Sequence, residues 1–224
     1  MKKFIHTFIP AILAGVCIAL GGTVFLSSET KLTGALFFCL GLLTILTCGF
    51  GLFTGKVCYT LDNKPSFLGT LGIIWLGNMT GTGLSALFAR FTRNYQSLNE
   101  KAAATISAKL SDSLVSLFVL GIGCGICIYI AINSYKTQDG FLKVTLVILP
   151  VMVFIFCGFE HCVANMFYIP AGMMTASAYG IAAEGLNIGT FILNNLIPAT
   201  IGNIFGGVIV VGFLYWYLFL REKN

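Results

Sequence analysis

The sequence predicts an all-α membrane protein of six transmembrane helices, built as an inverted three-helix repeat with helices 2 and 5 interrupted. Three observations predict it. First, 57% of the 224 residues are hydrophobic, only 9% are charged and the mean hydropathy is +0.93. Soluble domains carry roughly 25% charged residues, and so few charges could not clothe a water-facing surface. Second, the apolar runs are continuous, whereas barrel strands alternate over ~10 residues, so the crossings are helices. Third, two motif pairs recur in the same order along the chain. Cys48-Gly49-Phe50 returns as Cys157-Gly158-Phe159, and Gly77-Asn78-Met79-Thr80-Gly81 returns as Gly202-Asn203-Ile204-Phe205-Gly206. Three crossings per half is an odd number, so the second half enters the bilayer upside down relative to the first. The expected organisation is one channel domain, 1–224, with inverted halves at about 1–100 and 110–224.

Span 1 runs from about Thr7 to Leu26, with Pro10 in its first turn. The apolar stretch behind Met1-Lys2-Lys3 has no convincing cleavage site, so it reads as a retained span rather than a signal peptide. Span 2 covers Leu32 to about Tyr59, too long for one upright crossing, and its glycines at 49, 51 and 55 invite an interruption. Span 3 runs from Phe67 to about Phe88. The polar stretch from Arg90 to Asp112, with its Ala102-Ala103-Ala104, suggests a surface helix. Span 4 covers Ser113 to Asn133, and the apolar run from Val144 to Met174 forms a broken span 5. Thr175 to Gly189, rich in small residues and carrying Glu184, is expected to lie along the membrane surface. Span 6 starts near Pro198 and ends at Leu220, with Tyr215, Trp216 and Tyr217 as an interfacial belt.

With six spans both termini share one side. That side collects Lys2, Lys3, Lys56, Lys64, Lys136, Lys143, Arg221 and Lys223, against Lys31, Arg90, Arg93, Lys101 and Lys109 on the other, which places the termini in the cytoplasm. The basic residues lie mostly between apolar runs and serve orientation, so nucleic acid is not an expected partner. All eight cysteines fall in or beside apolar runs and imply no extracellular disulfide framework. Cys124-Gly125-Ile126-Cys127 lacks further ligands nearby and reads as small packing residues.

The chemistry concentrates at Glu160-His161, a carboxylate and an imidazole side by side in the broken span. Ionisable groups at that depth are costly and by default mark a transport path or proton relay. Breaks before Glu160 and near Leu52–Thr54 would leave helix starts with partial positive charge, which favour an anion. Thr54 adds a hydroxyl, and Asn78 and Asn203 add amides able to hold the broken ends by hydrogen bonds. Phe38, Leu42, Leu52 and Phe154 can form apolar constrictions around the histidine, although for each residue alone ordinary core packing is the better reading. A dry constriction rejects a bare ion but passes a weak acid that picks up a proton. A passive aquaporin-like pore for small neutral solutes is the alternative, with no use for Glu160-His161. A membrane enzyme using His161 with Cys157 or Cys162 lacks the second histidine or carboxylate that a metal or nucleophile set needs, so no enzyme activity, metal or cofactor is expected.

These residues resemble the formate/nitrite transporter family of formate, nitrite and hydrosulfide channels. The likeness covers nearly the whole chain and is densest in Gly158-Phe159-Glu160-His161-Cys162-Val163-Ala164-Asn165-Met166 and in Asn195-Leu196-Ile197-Pro198-Ala199-Thr200-Ile201-Gly202-Asn203. It implies an aquaporin-like six-helix protomer in a homopentamer, one pore per protomer, in the cell membrane. It also implies that His161 is the central pore histidine, Thr54 the threonine of the loop interrupting span 2, and Leu52 that loop's constriction. Asn203 would lie near the histidine, Phe38, Leu42 and Phe154 would ring the pore, and Lys109 would stand in the outer vestibule. Cys124 stands where formate channels of the family carry a polar amide. This inclines the expected substrate towards hydrosulfide, ahead of formate or nitrite.

Overall fold

The computed structural model describes residues 2–92, 105–179 and 187–220. Among them every regular element is helical, and six helices are long and apolar enough to cross a membrane. Helix α1 spans Lys2–Ser27, so Pro10 lies inside the helix rather than in its first turn. The residues before Thr7 continue the helix, and the Pro10 carbonyl accepts from Gly51 N–H at 3.3 Å.

Thr30 caps α2 (Lys31–Cys48), its side chain accepting from Thr33 N–H. The helix stops at Gly49, whose φ of 71° is left-handed and costs a residue without Cβ little. The chain resumes as α3 (Phe53–Lys56) and one tight turn, Val57–Tyr59. Helix α4 (Phe67–Ala89) completes the first half.

The second half repeats the construction. Ser113 caps α5 (Leu114–Thr137), and α6 (Gly140–Cys157) stops at Gly158 with φ 73°, the counterpart of Gly49. Helix α7 (Cys162–Tyr179) follows, and α8 (Ile188–Phe219) is the last crossing. Span 5 therefore stops at the glycine before Glu160, and span 2 stops at Gly49, the first of its cluster of three glycines.

Further boundaries differ from expectation. Span 6 begins at Ile188, ahead of Pro198, because Asn187 and Thr190 form a reciprocal capping box that starts the helix there. Pro198 is accommodated behind a wide π-helical stretch, Ile192–Leu196. The segment expected on the membrane surface is helical in α7 up to Tyr179, and its part with Glu184 lies outside the described residues. Of the surface helix expected over 90–112, residues 105–110 are helical, and 93–104 lie outside the described residues.

Helix pairs pack by the same rule in both halves. A Cβ on Gly81 would run into the Ile12 carbonyl of α1, and one on Gly206 into the Ile122 carbonyl of α5. Bare glycine backbones let these crossings close, as in small-xxx-small packing.

Candidate functional site

The two breaks are held by the two asparagines. Asn78 Oδ1 accepts from Phe53 N–H at 2.8 Å, while its Nδ2 donates to Gly51 O and Ala11 O at 2.8 and 2.7 Å. Asn203 Oδ1 accepts from Cys162 N–H at 2.9 Å, and its Nδ2 donates to Glu160 O and Gly121 O at 2.7 and 2.9 Å. Each amide thus satisfies both sides of a break and ties it to the first helix of its half. Both are fully buried, where an open backbone group would be costly. The helix starts are correspondingly less open than the sequence suggests. The N–H groups of Phe53 and Cys162 are taken by asparagine, and that of Ala164 by His161 Nδ1.

Between the breaks, Thr54 Oγ1 and His161 Nε2 meet at 2.9 Å, with both residues buried. Nδ1 accepts from Ala164 N–H at 3.0 Å, so the neutral ring carries its proton on Nε2 and donates it to Thr54. Phe154 stacks on the imidazole with centroids 5.6 Å apart, and Phe38 meets Phe154 edge-on at 5.9 Å. Phe38, Leu42, Leu52 and Phe154 are all buried beside this pair.

A cavity lies on either side of that waist. One, of about 210 Å³, is lined by Leu42, Leu52, Lys56, Tyr59, Tyr135 and Lys136 among others. The other, of about 340 Å³, is lined by Lys31, Lys109, Asp112, Phe159, Glu160 and Tyr168 among others. The chain enters α1 on the side of Tyr59 and Lys136 and leaves it on the side of Phe25 and Lys31, so the cavities open towards opposite membrane faces. Cys124 sits in the buried core and lines neither of them.

Glu160 turns away from the histidine. Its Oε1 pairs with Lys109 Nζ at 2.6 Å and its Oε2 accepts from Asn165 Nδ2 at 2.5 Å. Asn165 Nδ2 also reaches Asn195 Oδ1 at 2.7 Å, and Asn195 Nδ2 returns to Lys109 O at 3.3 Å. This ring of four residues anchors Lys109 in the cavity wall and neutralises the buried carboxylate, as its burial requires. Asn165 and Asn195 were not singled out by sequence reasoning. Both stand in the two densest motifs quoted above, which was the available signal.

Six crossings, two of them broken by left-handed glycines, and a buried Thr54–His161 pair in an apolar waist between two lysine-bearing cavities define a membrane protein of the channel or transporter class. The family model described as formate/nitrite transporter matches residues 1–217, and the chain belongs to that family. It is 32% identical to the formate channel FocA of Escherichia coli (strain K12) over a 255-residue alignment that covers 100% of this chain and 90% of FocA. It is 30% identical to the probable formate transporter of Methanothermobacter thermautotrophicus, covering 94% of this chain and 87% of that one. Among solved structures, a pentameric formate channel with formate bound is similar with a TM-score of 0.86 and 30% identity, covering 98% of both chains. An ion channel of the same family shares the fold with a TM-score of 0.82 at 23% identity, covering 95% of this chain and 90% of that one.

Proposed function

We propose that the chain is a channel unit, residues 1–224, for a small monovalent weak-acid anion, with formate the leading substrate. The observation that carries this reading is the Thr54–His161 hydrogen bond, buried in an apolar waist between two lysine-bearing cavities. Lysines draw the anion into either cavity. Leu42, Leu52, Phe38 and Phe154 set a desolvation barrier that a charged species crosses badly and a neutral acid crosses well. His161 stands where a proton must be given or relayed, with Thr54 orienting its Nε2–H. The formate channels among the relatives support formate ahead of hydrosulfide, and the position of Cys124 in the core removes the lining argument that favoured hydrosulfide.

The pentameric relative supports a homopentamer, and a Thr54–His161 waist within the single chain supports one pore per protomer. The lysine excess on the side of the termini supports a cell-membrane orientation with both termini cytoplasmic. Liposome flux of formate, nitrite, hydrosulfide, acetate and glycerol at several pH values tests the reading. Anion flux that rises as pH falls, with glycerol excluded, is expected. Glycerol permeation with pH-independent flux and no anion passage would replace the channel reading by a neutral-solute pore.

A further inference from the structure

Tyr59 and Tyr168 occupy equivalent places in the two halves, each at the same distance in sequence beyond its left-handed glycine, Gly49 or Gly158. Each lines the cavity of its own half. Each ring faces an ammonium: Lys136 Nζ lies 3.2 Å from the Tyr59 centroid, and Lys109 Nζ lies 5.9 Å from the Tyr168 centroid. Both hydroxyls are buried and make no hydrogen bond among the described residues.

A phenol O–H taken out of water ordinarily finds an acceptor. Here two such donors go unused, each on a tyrosine that lines a cavity bearing lysine donors. Lys109 spends one of its three N–H groups on Glu160. The first cavity holds no negatively charged acceptor among its lining residues, and in the second the carboxylates of Glu160 and Asp112 are already engaged, by Lys109 and Asn165 and by Ser113 and Ser116. A monovalent oxyanion supplies a free acceptor, offering one oxygen to the hydroxyl and one to the ammonium, whereas a cation satisfies neither. Hydrosulfide, a weak acceptor with a single heavy atom, cannot bridge the two.

We infer that Tyr59 with Lys136, and Tyr168 with Lys109, form a matched pair of binding stations for the transported oxyanion, one in each vestibule, which select carboxylate-type anions over hydrosulfide. This rests on the channel reading above and adds the residues that set its selectivity. The test uses the full chain in liposomes and in detergent, with Tyr59→Phe, Tyr168→Phe, the double variant and Lys136→Gln. Each Phe variant is expected to raise the half-saturation concentration for formate about five- to tenfold, while that for hydrosulfide moves less than about twofold. The double variant is expected to lose the rise in Tm that formate gives the parent. Formate half-saturation within about twofold of the parent in both Phe variants, or an equal shift for formate and hydrosulfide, overturns the stations. If the Phe variants do not assemble, Lys136→Gln reads the first station with its tyrosine intact: a raised formate half-saturation upholds it and an unchanged one overturns it. A parent that carries no formate removes the channel reading itself; a parent that does, with unchanged variants, removes only the stations.

Discussion

Asn78 and Asn203, in opposite halves of the chain, make the same three hydrogen bonds: one accepted from the helix that restarts, one donated into the break, one donated to the neighbouring first helix. The interruption is thus an enforced structure in each half rather than a loose loop.

Replacing either amide by alanine would leave a buried N–H and two carbonyls without their partner. We expect Asn203→Ala to destabilise the protein by about 3 kcal/mol and to lower its yield as an assembled membrane protein. Thermal unfolding in detergent checks this. A Tm equal to that of the parent would show that the breaks hold themselves.

Gly158 sits at φ 73°, where an added Cβ is strained and meets only the Lys31 ammonium at 3.8 Å. Gly158→Ala should therefore cost about 1–2 kcal/mol through backbone strain alone. Gly83, with nothing within 4 Å of a built Cβ, is the control. Gly83→Ala should leave Tm the same or raise it.

Glu160 and Lys109 pair at 2.6 Å with little exposure. Removing only the carboxylate by Glu160→Gln strands a cation, at a cost of about 3 kcal/mol. Lys109→Met with Glu160→Gln removes both charges and should recover part of that loss. A double-mutant cycle on Tm measures the coupling; additive effects would mean that the pair contributes nothing.

Thr54→Val keeps the shape and deletes the oxygen that receives the Nε2 proton of His161. We expect about a tenfold loss of anion flux, restored by Thr54→Ser. His161→Ala should flatten the pH dependence of flux to that of the bulk weak-acid equilibrium. Superimposable pH profiles for mutant and parent would remove the histidine from proton transfer.

Much of this architecture was legible in the residues themselves. Breaks at Gly49 and Gly158 follow from glycine within spans too long to cross once, and the Asn78 and Asn203 bonds follow from amides at matching depth. The partner of Glu160 was not legible. Lys109 lies far off in sequence on a separate polar stretch, and no periodicity links it to a carboxylate in a broken span. Read locally, Glu160 belonged with His161; in three dimensions it faces Lys109 and Asn165. The start of the last crossing was hidden because Pro198 looks like a boundary, while the capping pair at Asn187 and Thr190 stands among small residues with little hydrophobic pattern. Tyr59 and Tyr168 carry no local signal either, since a lone tyrosine in an apolar run reads first as packing.

The wide turn at Ile192–Leu196 contains Asn195 itself. Deleting any one residue there would let the helix tighten to ordinary winding and swing everything on one side of it by about 100° relative to the other. Asn195 and Asn203 could then no longer both face α7, one reaching Asn165 and the other Cys162. Length variation that a surface loop absorbs freely is barred from this stretch, so sequence drift here is confined to substitution.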